Sequence, residues 1–162
     1  MPSRALLFGL SASIFAIDRL TKWLIESRFS PFDSVTVIPG FFDIVHTTNR
    51  GAAFGLFAES SSSVRSFVLI GLALGALVLV AGMLWRMSGV GRATAYGLAL
   101  ILGGALGNLF DRIATGAVTD FLDFYVGALH WPAFNVADSS IVVGSALLLF
   151  DLLKPGREPA RT

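Results

Sequence analysis

The chain has no cysteine, only two histidines (His46 and His130), and few charges, with 14% of its 162 residues being Asp, Glu, Lys or Arg. Without cysteine there is no disulfide framework, no thiol nucleophile and no thiolate metal site. Neither a His-Glu-x-x-His pair nor a Gly-x-Ser-x-Gly elbow occurs, which removes the zinc-hydrolase and serine-hydrolase signatures. The net charge is +1 and no basic block is present, so nothing resembles a nucleic-acid surface. No metal or cofactor is expected, and both histidines read as structural. Any hydrolysis would fall to carboxylates.

What is present is apolar. Hydrophobic residues make up 54% of the chain and the mean hydropathy is +0.74, too high for a soluble domain of this size. A membrane span needs roughly 20 apolar residues, and four runs approach that length. They predict helices over about 5–25, 64–86, 92–112 and 137–154, within one domain covering 1–162. The first run has a basic start but no Ala-x-Ala-like site before its charges, so it is read as a retained helix and not a cleaved leader. Gly71 with Gly75, and Gly103 with Gly107, have the interval that lets spanning helices approach closely. Ser63 reads as the N-cap of the second helix.

The segments between the first two helices and between the last two differ. Ser34–Ile38 and Phe42–Val45 carry β-branched and aromatic residues on either side of Pro39-Gly40, which predicts a small β-hairpin in an outer region of about 33–57. The stretch of about 120–131 reads as an amphipathic segment suited to act as a lid. The expected fold class is therefore an all-α membrane protein: four transmembrane helices, a small extracytoplasmic hairpin or sheet, and a short extracytoplasmic amphipathic segment. Arg4, Arg86, Arg92, Lys154, Arg157 and Arg161 fall on one side of such a bundle, against chiefly Arg28 and Arg50 on the other. The excess of basic residues on the inner face places both termini in the cytoplasm. Trp23, Phe29, Tyr125 and Trp131 are then placed as interfacial aromatics.

This topology gathers Asp18, Lys22, Arg112, Asp120 and Asp138 at the outer level. Ionisable groups at membrane depth cost about 2.5–3.5 kcal/mol each on insertion scales, so they tend to face a bundle interior and to serve function. Gly104, Asn108 and Arg112 follow one another at four-residue intervals along one helical stripe. Two carboxylates brought together hold one shared proton, the arrangement a water-activating peptidase requires. Each residue also has a plainer reading. Asp138 could simply cap the last helix, Asp120 cap the residues after it, Asp18 and Lys22 form a surface i, i+4 pair, Arg112 anchor a helix end, and Asn49 occupy a turn. A small ion- or proton-coupled transporter is the alternative in another class, but its charges should recur along a path to both faces. Here they collect at one end, and the second helix carries none through its apolar run.

The ordered motifs Asp18-Arg-Leu-Thr-Lys22, Asn49-Arg-Gly51-Ala-Ala-Phe54-Gly55, Gly103-Gly104-Ala-Leu-Gly-Asn108-Leu-Phe-Asp111-Arg112, Gly116-Ala-Val-Thr-Asp120-Phe121 and Phe134-Asn135-Val-Ala137-Asp138 resemble bacterial lipoprotein signal peptidase, signal peptidase II. The resemblance spans about residues 15–153. It implies an aspartic endopeptidase of the bacterial inner membrane that removes the signal peptide from diacylglyceryl-modified prolipoproteins, on the N-terminal side of the lipidated cysteine. It further implies Asp120 and Asp138 as the catalytic dyad, with Asp18, Lys22, Asn49, Gly51, Gly104, Asn108, Arg112, Asn135 and Ala137 as supporting or substrate-binding positions. The inhibitor globomycin, contact with membrane lipids, a monomeric state and a site near the outer face belong to the same expectation.

Overall fold

A computed structural model describes residues 2–51, 62–86 and 90–154. The elements follow in the order α1 (Arg4–Arg28), β1 (Ser34–Ile38), β2 (Phe42–Asn49), α2 (Ser62–Trp85), α3 (Arg92–Ala114), β3 (Val118–Val126), β4 (Leu129–His130) and α4 (Val136–Leu152). Ala52 to Phe54, Gly55, Arg157 and Arg161, named above, lie outside the described residues, as do the side chains of Ser62, Ser63 and Arg65.

The helices begin and end where local chemistry dictates. Ser3 caps α1 by accepting from the Leu6 amide at 3.2 Å, and the helix stops at Phe29, just before Ser30-Pro31. Proline disfavours helical backbone in the residue before it, which accounts for the stop. At the other end of the chain, Asn135 caps α4. Among the described helices, α3 is the hub and packs against α1, α2 and α4.

Glycines make that packing close. A Cβ on Gly104 would sit 2.4 Å from the Ala137 carbonyl oxygen on α4, and one on Gly103 would sit 2.6 Å from the Ser11 carbonyl oxygen on α1. The close-approach expectation therefore holds at Gly103 and Gly107. At Gly71 and Gly75 nothing lies within 4 Å, so that stripe of α2 is open. The apolar core between helices comprises Leu7, Leu77, Leu84, Ala95, Leu98, Ala99, Leu102 and Leu109.

Large apolar side chains also cover the outside, with Phe67, Leu72, Val78 and Leu79 on α2 all exposed, while Asp18, Lys22 and Asn135 are wholly buried. Apolar groups outside and ion pairs inside invert the usual soluble pattern and match a bilayer as solvent. Two helical segments, Ser66–Trp85 and Arg92–Ala114, are long and apolar enough to cross a membrane. α1 is as long but carries Asp18, Arg19, Lys22 and Glu26, and α4 has only 17 residues.

Between the helices lies a four-stranded antiparallel sheet in the order β1-β2-β3-β4. The hairpin around Pro39-Gly40 forms as expected, with Val35 opposite Ile44. Most of the 120–131 stretch, expected as an amphipathic segment, is strand: Val118–Val126 pairs along β2, with Thr47 opposite Asp120 and Phe42 opposite Phe124. Its composition, Val-Thr-Asp-Phe-Leu-Asp-Phe-Tyr-Val, is rich in residues that fit a pleated surface. Phe124 stacks on Phe42 and Phe134, with centroids 4.6 and 5.8 Å apart, which fixes the strand's outer half.

Candidate active site

The site forms where the start of α4, the C-terminal parts of α1 and α3, and the N-terminal part of β3 meet. A helix N-terminus leaves backbone amides unpaired and carries partial positive charge. Here the Asn135 side-chain oxygen accepts from the Asp138 amide at 2.9 Å, and Asp18 Oδ1 accepts from the Ala137 amide at 2.9 Å. Two of the free amides of α4 are thus satisfied from residues far apart in sequence. Asp138 is not the cap; it occupies the third position of the helix.

The Asn135 amide nitrogen faces the other way and donates to Asp120 Oδ1 at 2.7 Å. One side chain therefore holds the backbone of Asp138 and the carboxylate of Asp120. Asn108 approaches from α3 and donates from Nδ2 to Asp138 Oδ1 at 2.7 Å. Its own oxygen accepts from Lys22 Nζ at 3.0 Å and from Asn135 Nδ2 at 3.3 Å. The two carboxylates are thus linked through two amides.

Burial pushes the Asp120 carboxyl up, and the nearby Asp138 carboxylate pushes it further. Hydrogen bonds from Asn135 and Asn49 and the charge of Lys22 act against these, leaving it at about 7. Desolvation and a like charge are the two conditions that keep a carboxyl protonated near neutrality.

The remaining expected residues fall around this pair. Lys22 Nζ lies 2.8 Å from Asp18 Oδ2 and 2.8 Å from Asp111 Oδ2, so the i, i+4 pair is fully buried and not a surface feature. A Cβ on Gly107 would lie 2.3 Å from Asp18 Oδ2, so this glycine makes room for the carboxylate. Asn49 ends β2; besides reaching Asp120, its oxygen accepts from the Gly51 amide at 2.8 Å. Gly51 has φ +82°, a conformation that favours glycine. Ala137 is fully buried beneath Gly104. Arg112 lies one turn beyond Asn108, donates to the Asn108 carbonyl at 3.4 Å, and has a buried Nε with no partner among the described residues.

Four residues in this layer, Asp111, Arg19, Thr119 and Glu26, were not singled out from sequence. Asp111 pairs with both Lys22 and Arg19, and Thr119 donates to Glu26 at 2.7 Å, tying β3 to the end of α1 beside Asp120. Asp111 lies three residues after Asn108, the other helical-neighbour spacing, which an i+4 stripe from Gly104 passes over.

Residues 10–154 match the family described as Signal peptidase (SPase) II. The chain belongs to the signal peptidase II family. Consistent with this, it is 56% identical over 153 residues to the lipoprotein signal peptidase of Solibacter usitatus (strain Ellin6076), covering 94% of this chain and 93% of that one. It is 43% identical over 155 residues to the lipoprotein signal peptidase of Desulforapulum autotrophicum, covering 94% and 96%. A solved structure described as "Bacterial membrane enzyme structure by the in meso method at 1.9 A resolution" superposes with a TM-score of 0.83 at 29% identity, covering 94% of this chain and 95% of that one. A bacterial membrane protease of the signal peptidase II family is thus what the fold and the site have to explain.

Proposed function

We propose that this chain removes the signal peptide from diacylglyceryl-modified prolipoproteins, cleaving on the N-terminal side of the lipidated cysteine, with Asp120 and Asp138 as its catalytic dyad. The observation that carries this reading is the Asn135 amide, which joins the carboxylate of Asp120 to the backbone of Asp138 within a family of signal peptidases. Asp120 holds the shared proton and gives it to the developing oxyanion. Asp138, at the positive end of α4, takes a proton from the attacking water. The unpartnered Nε of Arg112 is a donor for a substrate carbonyl, and Asn49 steadies Asp120 from the opposite side.

The bilayer setting fits this chemistry. A dyad at the outer ends of α1 and α3 admits water from outside while the acyl chains of the substrate stay among membrane lipids. In this reading all four helices span the inner membrane, the termini are cytoplasmic, and the sheet lies outside. The β3–β4 hairpin, whose Val126, Leu129 and Trp131 are exposed, closes over the substrate as a lid. One chain supplies every named group, so a monomer suffices.

The test is a gel-shift assay of a lipidated prolipoprotein with purified wild type, Asp120→Asn and Asp138→Asn, with globomycin as the inhibitor control. Each variant is expected to lose about 10²–10⁴-fold in rate, as removal of an acid or base typically does. Normal cleavage by either folded variant refutes the dyad.

A further inference from the structure

Beneath the dyad lies a layer of four charges. Asp18, Arg19 and Lys22 come from α1 and Asp111 from α3. Asp18 and Lys22 are wholly buried and Asp111 nearly so, at 3% exposure. Asp111 Oδ1 pairs with Arg19 Nη1, its Oδ2 lies 2.8 Å from Lys22 Nζ, and the same ammonium lies 2.8 Å from Asp18 Oδ2. Two anions face two cations, so the quartet is neutral as a whole.

A simple helix–helix tie does not require this. Buried ion pairs seldom add net stability over well-packed apolar residues of similar volume, because desolvation consumes the attraction. The arrangement has instead a direction. Lys22 has three oxygen neighbours, and the third is Asn108 Oδ1 at 3.0 Å. A primary amide has nearly the same shape in either orientation. The cation on the oxygen side fixes the nitrogen toward Asp138, to which it donates at 2.7 Å. Flipped, the same amide would aim its oxygen at a carboxylate.

We propose that Asp111 and Arg19 are positioning residues of the proteolytic reaction: through Lys22 they hold the Asn108 amide on Asp138, and together they balance the charge that Lys22 presents to the dyad. This rests on the dyad reading above. Neither residue touches the dyad in any described contact, and the proposal adds them to the supporting set expected from the motifs. The other groups facing the dyad are Asn135 from the α4 cap, Asn49 from β2, Asn108 and Arg112 from α3, and on α1 Asp18 and Glu26, the latter bonded to Thr119 next to Asp120. Substituting Asp111 or Arg19 changes the charge of none of these groups.

Charge balance gives the test its sign. Asp111→Asn leaves the layer with one excess positive charge, so the proton shared by the dyad is released at lower pH. Arg19→Gln leaves one excess negative charge and has the opposite effect. The double variant is neutral again. Cleavage of a lipidated prolipoprotein by full-length protein in detergent is measured from pH 5 to 9 for wild type, the two single variants and the double variant. The alkaline limb of kcat is expected to move down by about 0.5–1 pH unit in Asp111→Asn, up by a similar amount in Arg19→Gln, and back to the wild-type position in the double variant. For Asp111→Asn, kcat at the optimum falls about 10-fold or more while KM changes little, as for lost positioning.

Limbs that stay put in the folded variants, or that move in the same direction in both single variants, overturn the proposal. Arg19 is partly exposed and its variant is the safer to fold; if Asp111→Asn does not fold, the direction of the Arg19→Gln limb alone decides. Should Asp138→Asn cleave at the wild-type rate, the dyad reading falls; if Asp138→Asn is inactive while the limbs are unmoved, only the role of the quartet falls.

Discussion

Asp120→Asn should make the protein more stable, and increasingly so as pH rises. In the folded chain the Asp120 carboxyl lies at about 7, against 3.8 when unperturbed, first because burial disfavours its charged form and second because Asp138 repels it. A carboxyl raised on folding binds its proton more tightly in the native state. Its favourable contribution is complete below pH 3.8 and is lost as pH climbs to about 7, where the folded protein must bury a second negative charge or release it.

At about 1.36 kcal/mol per pH unit, the whole effect is on the order of 4 kcal/mol, of which more than half falls between pH 5 and pH 8. Asparagine keeps an oxygen to accept from Asn135 and carries no charge. In thermal unfolding of detergent-solubilised protein, the variant's lead over wild type should therefore widen by roughly 5–10 °C across that interval, at about 2–4 °C per kcal/mol for a chain of this size. Asp138→Asn should reduce the pH dependence without abolishing it, because burial remains. A gap between Asp120→Asn and wild type that is constant from pH 5 to pH 8 would show that Asp120 ionises normally and would remove the basis for assigning it the shared proton.

Two further outcomes are expected. Gly107→Ala places a methyl group 2.3 Å from Asp18 Oδ2, so it should cost about 1–3 kcal/mol of stability by overpacking and should impair cleavage through Asp18 and Lys22; an unchanged melting temperature contradicts the close approach. Cysteines placed one at a time by Thr36→Cys and Gly89→Cys, probed on intact cells with a membrane-impermeant thiol reagent, should label only at position 36, and labelling at position 89 alone inverts the orientation.

What could be read ahead of the structure divides along physical lines. The turn at Pro39-Gly40 and the strands beside it are encoded locally, in a period of two and in β-branched residues, and they form as expected. Val118–Val126 has the same composition, but two aspartates interrupt its apolar positions, so the stretch reads as amphipathic until β2 is seen to pair with it. The motif aspartates, asparagines and Lys22 were visible as polar residues in an apolar chain. Their wiring was not. Of the two readings open for Asp138, helix cap or dyad member, the cap falls to Asn135, which leaves the Asp138 carboxylate to Asn108. Gly107 looked like a helix-packing device, and what packs against it is a carboxylate. Such pairings are long-range contacts across the bundle, and no spacing along one helix reports them.

The Asn135 side chain starts α4 and also grips Asp120. The start of the last helix and the placement of the Asp120 carboxylate thus depend on one side chain. With the final segment undocked, Asp120 would lose its Asn135 partner and Asn108 its contact with Asp138. Substituting Asn135 should therefore loosen the helix and the carboxylate layer together, where a simple cap would affect the helix alone.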